Sequence, residues 1–595
     1  MIFLRIADEP SIQPGPSWAR VRRSFQSTMC GLVFLLATVS VLSDQATGQA
    51  EQTNNWQNKI RGAVVNAVTH QAVGRALVYS SDNRFAMLTD GEGNFEFKLP
   101  KVESDPGITA SGQGVTFIDG NSNGLSLWLM ARKPGFLDDP NETRRVLANA
   151  NREVTISLVP EAVIKGRVTL STTESAAGVN VQLFSRQVQE GTPRWIPRVA
   201  VRANSNGEFR FVELAAGDYK IVTHELMDND PVTRGSGSPV FGFPPIYYPG
   251  TTDFAAAGTI QLSAGQTFQA DLSLARQPYY SVTIPVTNLE PNSGLNITVS
   301  LQGNRGPGYS LGYNQAKQRI EGSLPNGNYT VEAMTFGPTA ATGAVNFAVA
   351  GATVEGPGMV LVRNNAISLN VKEEFIATGW NGSASWSDGK HTFNLHGPRL
   401  YLQATAESAD DFAQRGASLR QPAEQDDSLA LEDLPPGRYW LRLHSSRGYV
   451  AAATMGSVDL FHQPFVVGSG SNASIEITMR DDGAEVEGTV AGLPLVSAVQ
   501  EPGYFENSMP AAHLYWVPLP DGPGQFLEGA ASQDGKFSSQ TIAPGTYRVL
   551  AFKTRQANLP YRDADAMRAY ETKGQVVHLS PGQKVNVQLQ IISSE

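Results

Sequence analysis

Apolar and polar residues alternate in short runs along most of this chain. Val154/Ile156/Leu158, Phe268/Ala270/Leu272/Leu274, Ile367/Leu369/Val371, Ala473/Ile475/Ile477/Met479 and Val585/Val587/Leu589/Ile591 all repeat every second residue. That period belongs to a strand with one buried face. Helical periodicity is scarce. The best candidate is Arg562 to Thr572, with Asp563 and Asp565 near its start and Gly574 past its end. The pattern predicts an all-β protein of many short strands.

One phrase recurs between strands: Leu214-Ala-Ala-Gly217-Asp-Tyr219, Leu324-Pro-Asn-Gly327-Asn-Tyr329, Leu434-Pro-Pro-Gly437-Arg-Tyr439 and Ile542-Ala-Pro-Gly545-Thr-Tyr547. The glycines are 110, 110 and 108 residues apart, so the repeating unit is a domain and not a solenoid turn. Each copy reads as strand, turn, strand. The glycine is expected to supply the positive φ of the turn. The tyrosine and the apolar residues Ile221, Val331, Leu441 and Val549 continue the alternation, so the tyrosine is expected in the core or at a corner of the module.

Two further signals repeat. Ile60-Arg-Gly62-Ala-Val64, Ile164-Lys-Gly166-Arg-Val168 and Val486-Glu-Gly488-Thr-Val490 open modules, and the glycine is read as a bulge or a close backbone approach in an edge strand. Asp90-Gly-Glu-Gly93-Asn-Phe95, Asn206-Gly207-Glu-Phe209 and Asp534-Gly535-Lys-Phe537 place an Asx-Gly turn before a strand, a hairpin signal. Residues 233–256, rich in Gly and Pro, are expected to form a long irregular loop. The predicted layout is a signal peptide at 1–50, then β-sandwich modules at 60–160, 161–276, 277–374, 375–481 and 482–595. Turn signals at this spacing indicate sandwiches.

Ile60 to Val64, Gly74-Arg-Ala-Leu-Val78, Thr89 to Phe95 and Ala131-Arg-Lys-Pro-Gly135-Phe136 together resemble the carboxypeptidase regulatory-like domain. Ile164 to Tyr219 and Gly535 to Tyr547 are similar, so the resemblance covers the first, second and fifth modules, about half of the chain. It implies five tandem Ig-like or transthyretin-like Greek-key sandwiches, grouped with carbohydrate-binding-like folds. The family's domain is an accessory without catalytic residues, so it implies none here.

Composition fits an exported globular protein. Of 595 residues, 41 % are hydrophobic and 17 % charged, with a net charge of −10. No basic run lies in the body of the chain, which argues against nucleic acid as a partner. Arg20, Arg22 and Arg23 precede the apolar run Cys30 to Leu42, and small residues follow at Gly48-Gln-Ala50. This predicts an export signal, either cut after Ala50 or retained as an anchor, with no other membrane span and a secreted, periplasmic or outer-surface location. The only cysteine, Cys30, lies inside that signal. Beyond it there is no thiol for a disulfide, a nucleophile or a thiolate metal site.

The search for chemistry is negative, and no enzyme, cofactor or metal is expected. None of the eight histidines begins a His-x-x-Glu pair, and His391 and His396 are spaced to point to opposite faces of a strand. Gly120-Asn-Ser122-Asn-Gly124 matches the hydrolase elbow pattern, but a strand-like run follows where a helix is required. Asp90, Glu92 and Asn94 lack the distal Glu of a calcium loop and read as a turn. The aromatics Trp380, Trp386, Phe241, Phe243, Tyr247 and Tyr248 remain. They are read either as packing between modules or as candidate glycan contacts. The expected function is non-enzymatic binding or scaffolding at the cell envelope, with polysaccharide or envelope proteins as partners. The alternatives are a carbohydrate-binding protein using these rings and an accessory part of an extracytoplasmic hydrolase.

Overall fold

A computed structural model describes residues 59–592, except 99–114, 117–125, 139–144, 150–152, 229–239, 289–293, 302–303, 337–339, 378–381, 388–391, 411–415, 423–427, 494–509, 520–523 and the single positions 173, 383, 471 and 557. The proposed signal and the Gly120–Gly124 motif therefore fall outside the described residues. The protein is all-β, and one strand order recurs through five sandwiches. In the second, Ala162–Leu170 lies between the antiparallel strand Glu208–Leu214 and the parallel strands Thr267–Gln269 and Leu272–Leu274. The facing sheet runs Thr192–Arg202, Asn180–Gln189, Gly217–Thr223, Ile260–Leu262. Lys59–Asn66, Gln277–Thr287, Asn365–Glu374 and Ala484–Ala491 each pair in the same way with an earlier-closing antiparallel strand and a final parallel strand. Each sandwich encloses its own apolar cluster.

Four expectations change. The opening glycines sit in the central strand of their sheet and not at an edge. Asn365–Glu374, expected to close the third module, opens the fourth, because it pairs with Ala430–Leu434 and Ile475–Arg480. The stretch 233–256 is not wholly irregular: Val240–Phe243 pairs with Leu226–Met227 and with Gln277–Tyr279, and so joins the sheet of the third module. The predicted helix is also shorter, a turn of α-helix at Ala564–Met567 followed by a 3-10 turn. It is capped by the Asp563 carboxylate, which accepts from the N–H groups of Asp565 and Ala566.

The opening glycines have one physical cause. Gly62, Gly166 and Gly488 lie directly opposite Phe95, Phe209 and Phe537. A Cβ on them would come within 2.7, 2.8 and 2.4 Å of those rings and within 2.1, 1.8 and 2.1 Å of a carbonyl oxygen of the final strand or the residue before it. Each glycine thus makes room for the phenylalanine delivered by the Asx-Gly turn. The turns satisfy themselves: Asp90 Oδ1 accepts from the N–H groups of Glu92 and Asn94, and Asn204 Oδ1 from those of Asn206 and Glu208.

The tyrosine phrase is a corner device. The hydroxyls of Tyr219, Tyr329, Tyr439 and Tyr547 donate to the carbonyls of Ala215, Pro325, Pro435 and Ala543 at 2.8, 2.9, 2.8 and 2.8 Å. The ring folds back along its own strand, over the face of the glycine two residues earlier. A Cβ on Gly327 would lie 3.1 Å from the Tyr329 hydroxyl, and one on Gly437 3.4 Å from the Tyr439 ring. The phrase glycine has the expected positive φ in two copies, 154° at both Gly217 and Gly545, and not at Gly327 or Gly437. Left-handed backbone also falls just upstream of the phrase. Glu213, Asp433 and Thr541, just before the apolar residue of the phrase, have φ of 57, 58 and 59°, each within a break in register with the first strand. These are β-bulges held by non-glycine residues. The third module lacks one, and Ser323 and Leu324 pair regularly with Ser281 and Tyr280.

Removing one corner bond leaves a buried carbonyl without its partner. Tyr547→Phe should lower the stability of the fifth module by about 1–2 kcal/mol in urea denaturation. Gly488→Ala, which drives a methyl against a ring and a carbonyl, should cost more than Tyr547→Phe in the same assay.

Candidate functional site

The candidate aromatics have separate fates. Phe243 is 1 % exposed and belongs to the core of the second module. Tyr247 packs with Phe184, Val222 and Phe254 in a second cluster on the outer side of the same sheet. Neither ring has an open face. Tyr248 is half-buried and edge-on to Phe268, with ring centroids 5.9 Å apart. The ring of Phe241 carries the Arg276 guanidinium at 4.1 Å, and that guanidinium also binds Asp228 Oδ2 through Nε at 2.8 Å. Trp386 lies in the hairpin Ala384–Ser387/Thr392–Leu395, in register with Phe393. Trp380 lies outside the described residues.

Sequence reasoning missed Lys220, which is buried. Its ammonium donates to the Phe254 carbonyl at 2.8 Å and lies 4.4 Å from the Phe254 ring and 5.1 Å from the Trp195 ring. It ties the 244–258 segment to the sheet beneath. Alternation alone would place a lysine at this position in solvent, because the covering segment is remote in sequence.

Among the described residues, polar contacts between modules gather at a hairpin tip. Asn180–Gln189 and Thr192–Arg202 form the second module's long ribbon, and the turn residues Glu190 and Gly191 have φ of 47 and 72°, as a two-residue hairpin with both central residues left-handed requires. The tip meets the fourth and fifth modules together. Glu190 Oε1 accepts from Arg442 Nη1 at 2.8 Å, and Oε2 from the Tyr561 hydroxyl at 3.3 Å. The Gly191 carbonyl accepts from the Arg562 N–H at 3.0 Å. The Arg562 guanidinium lies 4.1 Å over the Trp440 ring, and Arg194, buried on the ribbon, donates to the Ser408 carbonyl.

Burial and the neighbouring Glu190 push the Glu407 carboxyl upward, while Arg442, Arg194 and Arg562 pull it down. Burial pushes the Tyr561 phenol up to about 12, so it stays a neutral donor to Glu190. The Tyr561 ring stacks on Phe526, with centroids 3.8 Å apart and planes 3° from parallel. The site is thus an electrostatic and aromatic clamp between modules, with groups suited to holding surfaces together. Among the described residues, no three or more His, Cys, Asp or Glu side chains are placed to hold one metal ion, and no helix is long and apolar enough to cross a membrane.

No family model matches the chain, and no curated protein matches it. The carboxypeptidase regulatory-like resemblance therefore rests on the quoted motifs. Among solved structures the chain is similar to the Bacillus anthracis TIE protein, at 11 % identity and TM-score 0.13, over 72 % of this chain and 69 % of that one. It is similar to a Streptococcal ancillary pilin, at 10 % identity and TM-score 0.17, over 50 % and 98 %. It is also similar to BcpA, the major pilin subunit of Bacillus cereus, at 9 % identity and TM-score 0.13, over 54 % and 99 %. The likeness is weak and carries nothing about function.

The clamp has a direct test. A Cβ on Gly191 would lie 2.8 Å from the Tyr561 ring. Gly191→Ala should therefore open the contact and speed hydrogen exchange of the Arg562 amide by about tenfold or more, while the core amides of the fifth module keep their protection. Salt at 1 M should act in the same direction but more weakly, since Arg442 is largely exposed.

Proposed function

We propose that the chain is an exported, non-enzymatic array of β-sandwiches that binds or scaffolds other molecules at the cell envelope. The observation that carries this is the way modules are joined. Leu158 and Ala162, Leu274 and Gln277, Arg363 and Asn365, and Arg480 and Ala484 end one sandwich and begin the next, so no more than three residues intervene. With the clamp at Glu190, such links fix where each module's loops point. Fixed spacing of separate surfaces suits a scaffold. The polar groups singled out by repetition, the four corner hydroxyls, are spent on folding. Polysaccharide or envelope proteins are the proposed partners.

A second reading, carbohydrate binding, is favoured by the hairpin in the fourth module. Its two strands pair only with each other, and Ala384, Ser385, Ser387, Thr392 and Asn394 are exposed. Trp380 and Trp386 are the proposed contacts. Residues 51–595 should be retained by envelope fractions and should show no activity in a metal and hydrolase screen; turnover there contradicts the first reading. Trp380→Ala with Trp386→Ala should abolish retention on insoluble polysaccharide without lowering the melting temperature if the second holds. Unchanged retention sinks it.

A further inference from the structure

We propose that Glu225 is a proton-controlled pin between the second and third modules: the docked junction holds it protonated, and its ionisation loosens the docking. Glu225 follows the strand Gly217–Thr223 of the second module. Its N–H donates to the Gly308 carbonyl at 3.0 Å, and its Oε1 accepts from the Ser310 N–H at 2.6 Å, both in the third module. The other oxygen, Oε2, is buried with no hydrogen-bond partner. So is the hydroxyl of Tyr279, which is 2 % exposed. Pro245 closes the junction against Gly308, where a Cβ would lie 2.6 Å from the proline ring. A carboxylate with one buried, unpartnered oxygen is disfavoured against its acid.

The titratable groups around the carboxyl do not compensate. The phenols of Tyr279, Tyr309 and Tyr329 all lie within its electrostatic reach, and all are pushed up, chiefly by burial. The Tyr329 hydroxyl is committed to the Pro325 carbonyl. The cation at the same junction, Arg276, is engaged by Asp228. Burial pushes Glu225 up to about 7, more than the Ser310 N–H and the Ser310 side chain pull it down. The docked state thus keeps a proton that an undocked carboxyl, near 4.5, releases. Docking is at full strength below about 4.5 and is lost as pH rises through about 7. His224, next in sequence, has the opposite sign: burial lowers its pKa, so its contribution strengthens docking as pH rises. A variant at Glu225 separates the two.

The experiment is hydrogen exchange on residues 51–595, corrected for intrinsic rates, at the Glu225 and Ser310 amides from pH 5 to 7.5. The opening constant of the wild type, divided by that of Glu225→Gln, should rise about tenfold or more over this range. His224 is present in both proteins and cancels. A ratio constant within about twofold overturns the proposal. Glu225→Leu is the second variant, and its opening constant divided by that of Glu225→Gln should stay constant over the range. The Val331 amide, inside the third module's sheet, reports whether the module itself is folded in each.

Discussion

The fold depends on the parallel pairing of each module's first and last strands. Gly62 lies beside Val154, Gly166 beside the chain entering Leu272, and Gly488 beside Val587. Two adjacent strands that run the same way carry the chain in at one end of a sandwich and out at the other. The closing strand of one module can then continue almost at once as the opening strand of the next. Parallel pairing needs a long crossover, and the strands between the first and the last supply it. In the first, second and fifth modules the close approach demands glycine in the middle of the first strand, and the cross-strand phenylalanine covers the surface that glycine leaves bare.

Within each sandwich the second constraint is the corner. No cysteine lies beyond Cys30, so no disulfide holds the two sheets. In four modules a buried tyrosine returns its hydroxyl to the backbone four residues earlier and fixes the angle at which the chain leaves one sheet for the other. Three of these corners also carry a left-handed, non-glycine residue, Glu213, Asp433 or Thr541. Such strain persists only where surrounding contacts over-determine it. The third module reaches the same corner bond without the bulge, so the hydroxyl and not the bulge is the common element.

Local features were legible in the sequence and contacts between modules were not. Alternation, Asx-Gly turns and the glycine–tyrosine phrase all act within a few residues or across one strand pair, and they placed the strands and the all-β class. They misplaced the boundary near 364, because Ile367/Leu369/Val371 reads the same whether it closes one module or opens the next. They also missed Val240–Phe243, a short strand among glycines and prolines that pairs with a neighbouring module. The site was less legible still. Phe243 and Tyr247 stood out as aromatics in a loop, yet both are buried, Phe243 in the module core and Tyr247 in the cluster on the outer side of the sheet. Glu190, Arg442, Trp440 and Arg562 carry no local signature, since they meet only when three modules come together.

The central claim is that short links and the Glu190 clamp hold the second module in one place against the fifth. Residues 51–595 offer a clean way to measure it, because they lack cysteine. Val199 and Val576 are exposed on these two modules. Spin labels at Val199→Cys and Val576→Cys, read by pulsed electron resonance, should give one narrow distance distribution that broadens when Gly191→Ala is added. A broad distribution without that substitution would contradict the account.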